Sequence, residues 1–380
     1  MRTRLDQMGE LWSDSATVVA WLMLLATGFI MVSSATVSMP GALVEKHVFF
    51  LILAMIGVVI GLVIPLEFWR RIHKIMLLLA VMFCALVLVP GVGYEVNGAQ
   101  RWVRLGGFSL QASEVVKPLV LIYLAGYLER FGHLLGDRSF DLIKPLMLVG
   151  LVCFLLVLEP DFGGAVVLGA ATCGLLFLAG ARLRHFSLLA LVAIGVVALL
   201  IVSQPYRMAR MTAFTDPWAS PFGGGYQLTQ ALIAFGRGEN AGLGLGEGIQ
   251  KLAYLPEAHN DFIVAVIAEE LGMIGVFALM ALFGVLVLGI LQRARRHLNE
   301  ERRFAGYLCY GIALVFALQF LVNVGVNTGV LPTKGLTLPF VSFGGNSLLV
   351  CCAMFALVLR GDIEAQQPAG RRRKRSAAHG

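Results

Sequence analysis

The sequence predicts an all-α integral membrane protein with about ten transmembrane helices and a large extracytoplasmic loop between spans 7 and 8. Its 380 residues are 58% hydrophobic and only 14% charged, and the mean hydropathy is +0.82. Soluble domains carry about 25% charged residues, so this composition is typical of a chain that lies mostly in lipid. One polytopic bundle is therefore expected in place of several soluble domains.

The candidate spans are apolar segments whose length is close to the roughly 20 residues that a helix needs to cross the hydrocarbon core. The first has no cleavage pattern after it and is expected to stay as an anchor. All six cysteines fall within these apolar runs, so they indicate no disulfide framework. The predicted spans are 16–33, 48–66, 75–89, 115–128, 145–158, 163–181, 186–203, 262–291, 304–324 and 346–360.

Lysine and arginine are distributed unevenly between the loops. With the N-terminus inside, most of the 30 basic residues fall on the cytoplasmic side, as the positive-inside rule requires. Residues 1–15 then form a short cytoplasmic N-terminus, residues 16–360 the membrane domain and residues 361–380 a basic cytoplasmic tail. Anionic membrane lipids are the expected neighbours of the tail, and no nucleic acid is needed to explain its charge.

Two loops on the opposite side, 90–114 and 204–261, are long enough to carry function. The chain contains no phosphate-binding P-loop motif, no zinc-ligand spacing and no Ser-His-Asp signature. Any activated group must therefore arrive with the substrate.

The segment YLPEAHNDFIVAVIAEELG, residues 254–272, places acids both at the edge of a span and inside it. Asp261 lies at the outer edge, where an ionisable residue is by default a functional hypothesis. Aspartate is also favoured as a helix N-cap, so both roles stay open and do not exclude each other. Glu269 and Glu270 lie deeper, where we expect buried carboxylates paired with a neighbouring helix.

The end of loop 90–114 and the start of the next span are rich in cations. Arg101, Arg104 and Lys117 lie at the outer membrane edge, against the positive-inside trend, and could bind a diphosphate. Glu114 and Lys117 are three residues apart, so a local ion pair on a helix is the competing interpretation. Trp102 is either an interfacial belt residue or a stacking platform for a sugar.

Two further segments interrupt the apolar pattern. LEPDFGG, residues 158–164, is either a tight outer turn or an interruption that lines a cavity. Residues 324–347 are too polar for a span and too apolar for a free loop, so we expect them to fold back into the outer leaflet. Backbone N–H groups there and Lys334 could hold an anion, and a packing element without a ligand is the alternative.

These stretches together resemble the SEDS family (shape, elongation, division and sporulation), and the form of two of them is closer to its cell-division branch. The resemblance covers nearly the whole chain, with a SEDS-type bundle of ten spans and a large fourth outer loop. The motifs that carry it are NGAQRW (97–102), SEVVK (113–117), EPDFGG (159–164), residues 223–263 and PTKGLTLPFVSFGGNS (332–347).

The resemblance implies a function. SEDS proteins polymerise lipid II, the undecaprenyl-diphosphate-linked disaccharide peptide, together with a class B penicillin-binding protein, an FtsI-like transpeptidase. The catalytic acid of the family lies in a His-Thr-Asp-Phe motif, which matches His259-Asn260-Asp261-Phe262 here with Asn in place of Thr. This assigns the catalytic role to Asp261, and Trp102 and Lys117 also fall on functional positions of the family pattern.

The expected reaction is a single in-line displacement that inverts the anomeric carbon, with Asp261 as the base on the acceptor hydroxyl. A divalent cation, Mg²⁺ or Mn²⁺, is an option at the diphosphate, although no set of protein ligands demands one. The diphosphate candidates are Arg101, Lys117, Arg210 and Lys334. The other candidates for substrate contact are Trp102, Glu114, Glu257, His259 and Ser342.

Two other functions remain as alternatives: a lipid II flippase and a non-catalytic division scaffold. A flippase predicts an internal repeat and polar groups on both faces, whereas the candidate residues here lie on the outer face. The expected location is the cytoplasmic membrane at the division septum, among other membrane proteins of the division machinery.

Overall fold

The computed structural model describes residues 4–39, 41, 43–96, 99–105, 108–135, 139–182, 195, 214–332 and 335–366. Ten α-helices and one small sheet lie in these ranges. In chain order the helices are α1 (Arg4–Ala35), α2 (Leu43–Val63), α3 (Leu66–Leu88), α4 (Ala112–Phe131), α5 (Ser139–Leu158), α6 (Phe162–Leu178), α7 (Tyr226–Gly238), α8 (Ile263–Asn299), α9 (Arg303–Asn327) and α10 (Gly345–Gln366).

Helices lie at nine of the ten predicted spans, and the tenth, 186–203, lies outside the described residues except for residue 195. Several helices are longer than predicted because they extend into charged sequence beyond the apolar run: α3 begins at Leu66, and α8 continues to Asn299. Within the described ranges, six helices are long and apolar enough to cross a membrane. The short helix α7 belongs to the predicted loop 204–261.

The predicted loop 90–114 contains a sheet. Its strands are β1 (Gly93–Val96), β2 (Ala99–Leu105) and β3 (Phe108–Gln111), paired antiparallel in the order β1-β2-β3. Trp102 of β2 lies opposite both Tyr94 and Gln111. Because α4 begins at Ala112, directly after β3, the sheet is attached to the start of that helix.

The bundle has two adjoining apolar cores. One lies between α1, α8, α9 and α10 and includes the buried side chains Leu24 and Phe316. The other lies between α3, α4, α5 and α6 and includes Val120 and Val152. Helix α9 contacts α4, α6 and α8, so it joins the two cores. By contrast, α2 presents apolar side chains such as Ile52 outward, as expected for a surface that faces lipid.

Helix α8 is interrupted at Gly272, whose φ of 65° is a conformation that favours glycine. Residues 239–244 pair with the backbone freed by this break. Leu243 and Gly244 donate to the carbonyls of Glu269 and Glu270, each at 3.0 Å. Met273 and Ile274 donate to the carbonyls of residues 239 and 240, at 3.0 and 3.2 Å. The interruption is therefore covered by protein, the condition under which irregular backbone is tolerated at membrane depth.

The uninterrupted part of α8 after Gly272, residues 273–299, is about 40 Å long at 1.5 Å per residue, which exceeds the roughly 30 Å of the hydrocarbon core, so the two ends of α8 lie on opposite sides of the bundle. We call the end with Asp261 the site end and the end with Arg293 the basic end. Residues 335–344 are mostly buried irregular backbone near the site end, and Gly28 of α1 gives Phe340 and Val341 room to approach. This confirms that the segment folds back into the bundle.

Candidate active site

Asp261 lies two residues before α8 and is half-buried. The N-cap of α8 is Phe262, which makes no side-chain capping bond, so Asp261 does not cap the helix. A residue of another helix supplies a cap instead: the Asn327 side-chain oxygen accepts from the Ala265 N–H at 3.1 Å. Of the two roles that the sequence left open, the structure removes the N-cap and leaves the carboxylate available for chemistry.

The electrostatics around Asp261 suit a general base. Its pKa is raised to about 7, first by burial and next by the negative charge of Glu257. Arg101 opposes this rise and Asp161 adds to it. No described residue donates a hydrogen bond to the carboxylate. A carboxylate with a pKa near neutral pH is both ionised often enough and basic enough to accept a proton from a hydroxyl group.

The turn that carries Asp261 is held by its neighbours. Asn260 donates to the Glu257 carboxylate at 2.6 Å, and Glu257 itself adopts a φ of 56°. The Ser342 hydroxyl donates to the Asn260 carbonyl at 2.6 Å, and the Phe343 N–H donates to the His259 carbonyl at 2.9 Å. Glu257, His259 and Ser342 therefore order the turn, and residues 335–343 form one wall beside it.

Glu114 and Lys117 lie in the first two turns of α4. Lys117 Nζ is 2.7 Å from Glu114 Oε1, and both side chains are buried, with 1% and 3% exposed. The predicted local ion pair is confirmed. The second Glu114 oxygen has no hydrogen-bond partner among the described residues, so the pair keeps one acceptor free.

Asp161 connects the start of α6 to the sheet. One of its oxygens accepts from the Gly164 N–H at 3.0 Å, which caps α6, and the other accepts from Gln111 at 3.3 Å. Residues 159–161 thus form the tight turn between α5 and α6 that was one of the two interpretations of LEPDFGG. The sequence did not select Asp161 as a site residue, yet its charge acts on Asp261.

Arg101 and Trp102 are neighbours on β2 with different surroundings. Arg101 donates to the carbonyls of Glu159 and Pro160, at 3.3 and 2.5 Å, and its charge also acts on Asp261. Arg101 therefore bridges the sheet, the α5–α6 turn and the catalytic candidate. Trp102 is half-buried in the sheet, so both of its predicted roles stay open. Arg104 stacks 3.5 Å from the centre of the Tyr94 ring.

Two predicted diphosphate ligands, Arg210 and Lys334, lie outside the described residues. Next to the second of them, Gly335 packs against the site. A methyl group built on Gly335 would lie 3.0 Å from Asp261 Oδ2, so the backbone there is in close contact with the carboxylate. In the described part of the chain, no group of three or more His, Cys, Asp or Glu side chains is arranged to hold a metal ion.

Glu269 and Glu270 are fully buried and paired with neighbouring helices, as predicted, and both also contact the loop before α8. Glu269 contacts Arg237 of α7 at 3.0 Å and accepts from the N–H groups of residues 249 and 250. Glu270 contacts Lys251 at 2.6 Å, and Ser34 of α1 donates to it at 2.7 Å. These carboxylates fix the loop on α8 and do not belong to the site.

Asn323 and Asn327 of α9 were not selected from the sequence. Both side chains donate to the main-chain carbonyl of Asp261, at 3.1 and 2.8 Å. The available signal was a row of amides in an apolar span, Gln319, Asn323 and Asn327, each four residues from the next, since polar residues in a span usually mark contacts or function.

Comparison with known proteins agrees with the motifs. The family of cell cycle proteins that includes FtsW, RodA and SpoVE matches residues 15–367. The chain belongs to this family. The FtsW/RodA/SpoVE family comprises the SEDS proteins, so the resemblance inferred from the motifs is confirmed.

Relatives within the FtsW/RodA/SpoVE family are similar over almost their whole length. A probable peptidoglycan glycosyltransferase FtsW of Halomonas elongata is 46% identical over 374 residues, which are 96% of this chain and 93% of that protein. The corresponding protein of Coxiella burnetii is 46% identical over 363 residues, 93% of this chain and 98% of that protein.

Solved structures of the same family share the fold. One chain from a structure described as the structural coordination of polymerization and crosslinking by a peptidoglycan synthase complex has a TM-score of 0.77 and 29% identity. It covers 93% of this chain and 98% of its own length. The rod shape determining protein RodA of Thermus thermophilus gives a TM-score of 0.69 and 28% identity, with 93% and 97% covered. The predicted all-α membrane fold is confirmed.

Proposed function

We propose that this multi-pass membrane protein polymerises lipid II into β-1,4-linked glycan strands of peptidoglycan, with Asp261 as the general base. The observation that carries the proposal is a carboxylate at the start of α8 with a pKa raised to about 7 and no hydrogen-bond donor among the described residues. The relatives named peptidoglycan glycosyltransferases support the reaction class.

The proposed step is one displacement at the anomeric carbon of the donor. The acceptor hydroxyl oxygen attacks that carbon, its proton passes to Asp261, and the bond to undecaprenyl diphosphate breaks. An α-linked donor gives a β-linked product because attack and departure take place on opposite faces of the sugar. General-base help of this kind is typically worth about 10² to 10⁴-fold in rate.

Arg101, whose charge acts on Asp261, and Lys117 of α4 are proposed to bind the diphosphates. Lys117 is held by Glu114, and Arg101 is held by carbonyls, so both charges have fixed positions. Fixed charges stabilise a developing negative charge without the cost of reorganising at the moment of reaction. Arg210 and Lys334 remain proposed ligands on sequence grounds. Mg²⁺ or Mn²⁺ carried by the diphosphate remains an option that titration with a chelator can examine.

The proposed orientation places the site end outside the cytoplasmic membrane and both termini in the cytoplasm, at the division septum. The solved complex that combines polymerization and crosslinking supports a crosslinking partner, which we propose is a class B penicillin-binding protein. Substrate binding in the outer leaflet suits a lipid-anchored sugar diphosphate, whose reactive end is polar while its anchor stays in lipid.

The test compares two carboxylate variants in detergent with the partner protein and labelled lipid II. We expect Asp261→Asn to reduce polymerisation by about 10² to 10⁴-fold, because the amide cannot accept the proton. The control is Glu247→Gln, which removes an exposed carboxylate from the loop 204–261 that also carries Asp261. This variant should polymerise at the parental rate. Parental activity of Asp261→Asn would refute the base. A protein that moved lipid II across vesicles without forming polymer would support the flippase instead.

A further inference from the structure

Two buried amides of α9 converge on the residue proposed as the base. Asn323 and Asn327 are 1% and 0% exposed, and they lie on one face of α9 because they are four residues apart. Their side-chain N–H groups donate to the same acceptor, the main-chain carbonyl of Asp261, at 3.1 and 2.8 Å. That carbonyl is thereby fully satisfied, since a carbonyl oxygen offers two lone pairs.

Each amide also holds a second segment of the site. Asn323 donates to the Leu336 carbonyl at 2.6 Å, one residue from the Gly335 backbone that lies against the Asp261 carboxylate. The Asn327 oxygen accepts from the Ala265 N–H at 3.1 Å, in the first turn of α8. Asn327 further donates to the Asn323 carbonyl at 2.9 Å, which ties the two together. Three segments thus meet on two side chains.

The position of Asp261 explains why such support matters. The residue precedes α8, so the hydrogen bonds of the helix do not fix its backbone. Its carboxylate is two bonds from the Cα atom, and a small rotation of the main chain therefore moves the oxygens. Misplacing a reacting group by about 1 Å can cost about 100-fold in rate.

We infer that Asn323 and Asn327 are positioning residues, which hold the main chain of Asp261 so that its carboxylate stays under Gly335 at the start of α8. This inference rests on the proposed function, because it assigns a role relative to Asp261 as the base. The competing explanation is that the amides only join α9 to its neighbours, as polar side chains do between membrane helices.

The chain supplies a matched control on the same helix face. Gln319 lies one turn before Asn323, is 0% exposed, and its amide atoms have no hydrogen-bond partner among the described residues. Replacing it by leucine removes a buried amide of α9 without removing a bond to the site. If the amides only served packing of the bundle, replacement at all three positions would lower the rate. If they position Asp261, only the replacements of Asn323 and Asn327 would lower it.

The experiment measures polymerisation of labelled lipid II, with the partner present, by Asn323→Leu, Asn327→Leu and Gln319→Leu across a range of pH. We expect the two asparagine variants to lose about 10-fold to 100-fold in kcat, with KM changed less than about threefold, since the lost contacts act on the base and not on substrate binding. Gln319→Leu should stay within about twofold of the parent protein in both constants.

The pH profile separates positioning from packing. Among the described residues, the charged groups that act on Asp261 are Glu257, Asp161 and Arg101, and none of the three is replaced in these variants. An Asp261 side chain that turns toward water loses part of the burial that raises its pKa, so the acid limb of the rate should move to lower pH. A packing defect lowers the rate equally at every pH and leaves the limb in place.

Unchanged kcat in both asparagine variants, or an equal loss in Gln319→Leu, would overturn the inference. If Asn327→Leu aggregates, Asn327→Ala replaces it, because the truncated side chain cannot donate to the Asp261 carbonyl. Unchanged kcat and an unmoved acid limb in that variant would overturn the inference equally. Failure of the proposed function is distinguishable, because the parent protein would then form no polymer, or Asp261→Asn would polymerise at the parental rate, whatever the asparagines do.

Discussion

The two ends of α8 both bury charged side chains, but the two ends differ in how well these charges are paired. At the basic end, Arg293 contacts Asp362 at 2.6 Å and Thr17 at 2.8 Å, and Arg296 binds Asp14 through two contacts of 3.0 Å. Every one of these charges has an opposite charge beside it. Such matched networks join helices α1, α8 and α10 and serve the structure.

At the site end, among the described residues that act on Asp261, acids outnumber cations. Glu257 and Asp161 both raise the pKa of Asp261, and Arg101, the opposing cation, is already bonded to two carbonyls. Buried carboxylates with unmatched charge are costly, and they cluster where a protein needs a shifted pKa. In the described part of the chain, the charges without a matching partner therefore coincide with the proposed site, whereas the matched charges lie at the other end of α8.

Breaking the matched end should have the largest effect on stability. Arg293→Met removes the cation that contacts Asp362, so the Asp362 carboxylate loses its main partner while it stays buried. We expect the free energy of unfolding to fall by about 3–5 kcal/mol. The thermal midpoint in detergent measures this. Arg295→Met is the control, since Arg295 lies two residues after Arg293 and is exposed. Polymerisation per folded molecule should keep the parental pH profile, and a shifted profile would mean that the two ends are coupled.

A larger side chain at the site end should lower the rate of polymerisation and leave stability unchanged. Gly335→Ala adds a methyl group 3.0 Å from Asp261 Oδ2, so the carboxylate must move. We expect kcat to fall about 10-fold while the thermal midpoint changes little. Gly236→Ala, where the methyl group meets open space, should change neither. A large fall in the thermal midpoint of Gly335→Ala would show that this glycine serves packing.

The pH dependence of the rate tests the charge on Asp261 directly. A base must be ionised, and the pKa of Asp261 is raised to about 7. The rate should therefore fall about tenfold per pH unit below that value and level off above it. An acid limb near pH 4, the ordinary range for a carboxyl group, would show that the site end does not shift the base.

The smallest expected effect comes from removing one of the unmatched charges. The negative charge of Glu257 raises the pKa of Asp261, so Glu257→Gln should lower that pKa and move the acid limb to lower pH by less than about one unit. The amide keeps an oxygen that can accept from Asn260. A shift to higher pH would contradict the assigned sign.

The helices were predictable from the sequence because a long apolar run is typical of a helix that crosses a lipid bilayer. The first and last residues of the helices were not predictable, since α3 and α8 include charged residues that lie beyond the apolar run. The sheet at residues 93–111 was missed because its strands are only four to seven residues long. Strands this short carry too few alternations to show a period.

The site was predictable only in part. Asp261 stands out because its motif is local, and the Glu114–Lys117 pair follows from helix spacing. Asn323 and Asn327 contact Asp261 from more than 60 residues away, and no local pattern encodes such a contact. Glu269 and Glu270 do have partners on other helices, α7 and α1, but the contact of Glu270 with Lys251 was not predicted, because composition does not reveal that the loop before α8 enters the bundle.

The break at Gly272 has a consequence for how the chain enters the membrane. The four backbone hydrogen bonds across the break all come from residues 239–244, which are synthesised before α8. Until that stretch is in place, α8 would expose unsatisfied N–H and C=O groups to hydrocarbon, at several kcal/mol for each group. We therefore expect the insertion of α8 and the docking of its preceding loop to be coupled, so that the site end forms as the chain enters the membrane.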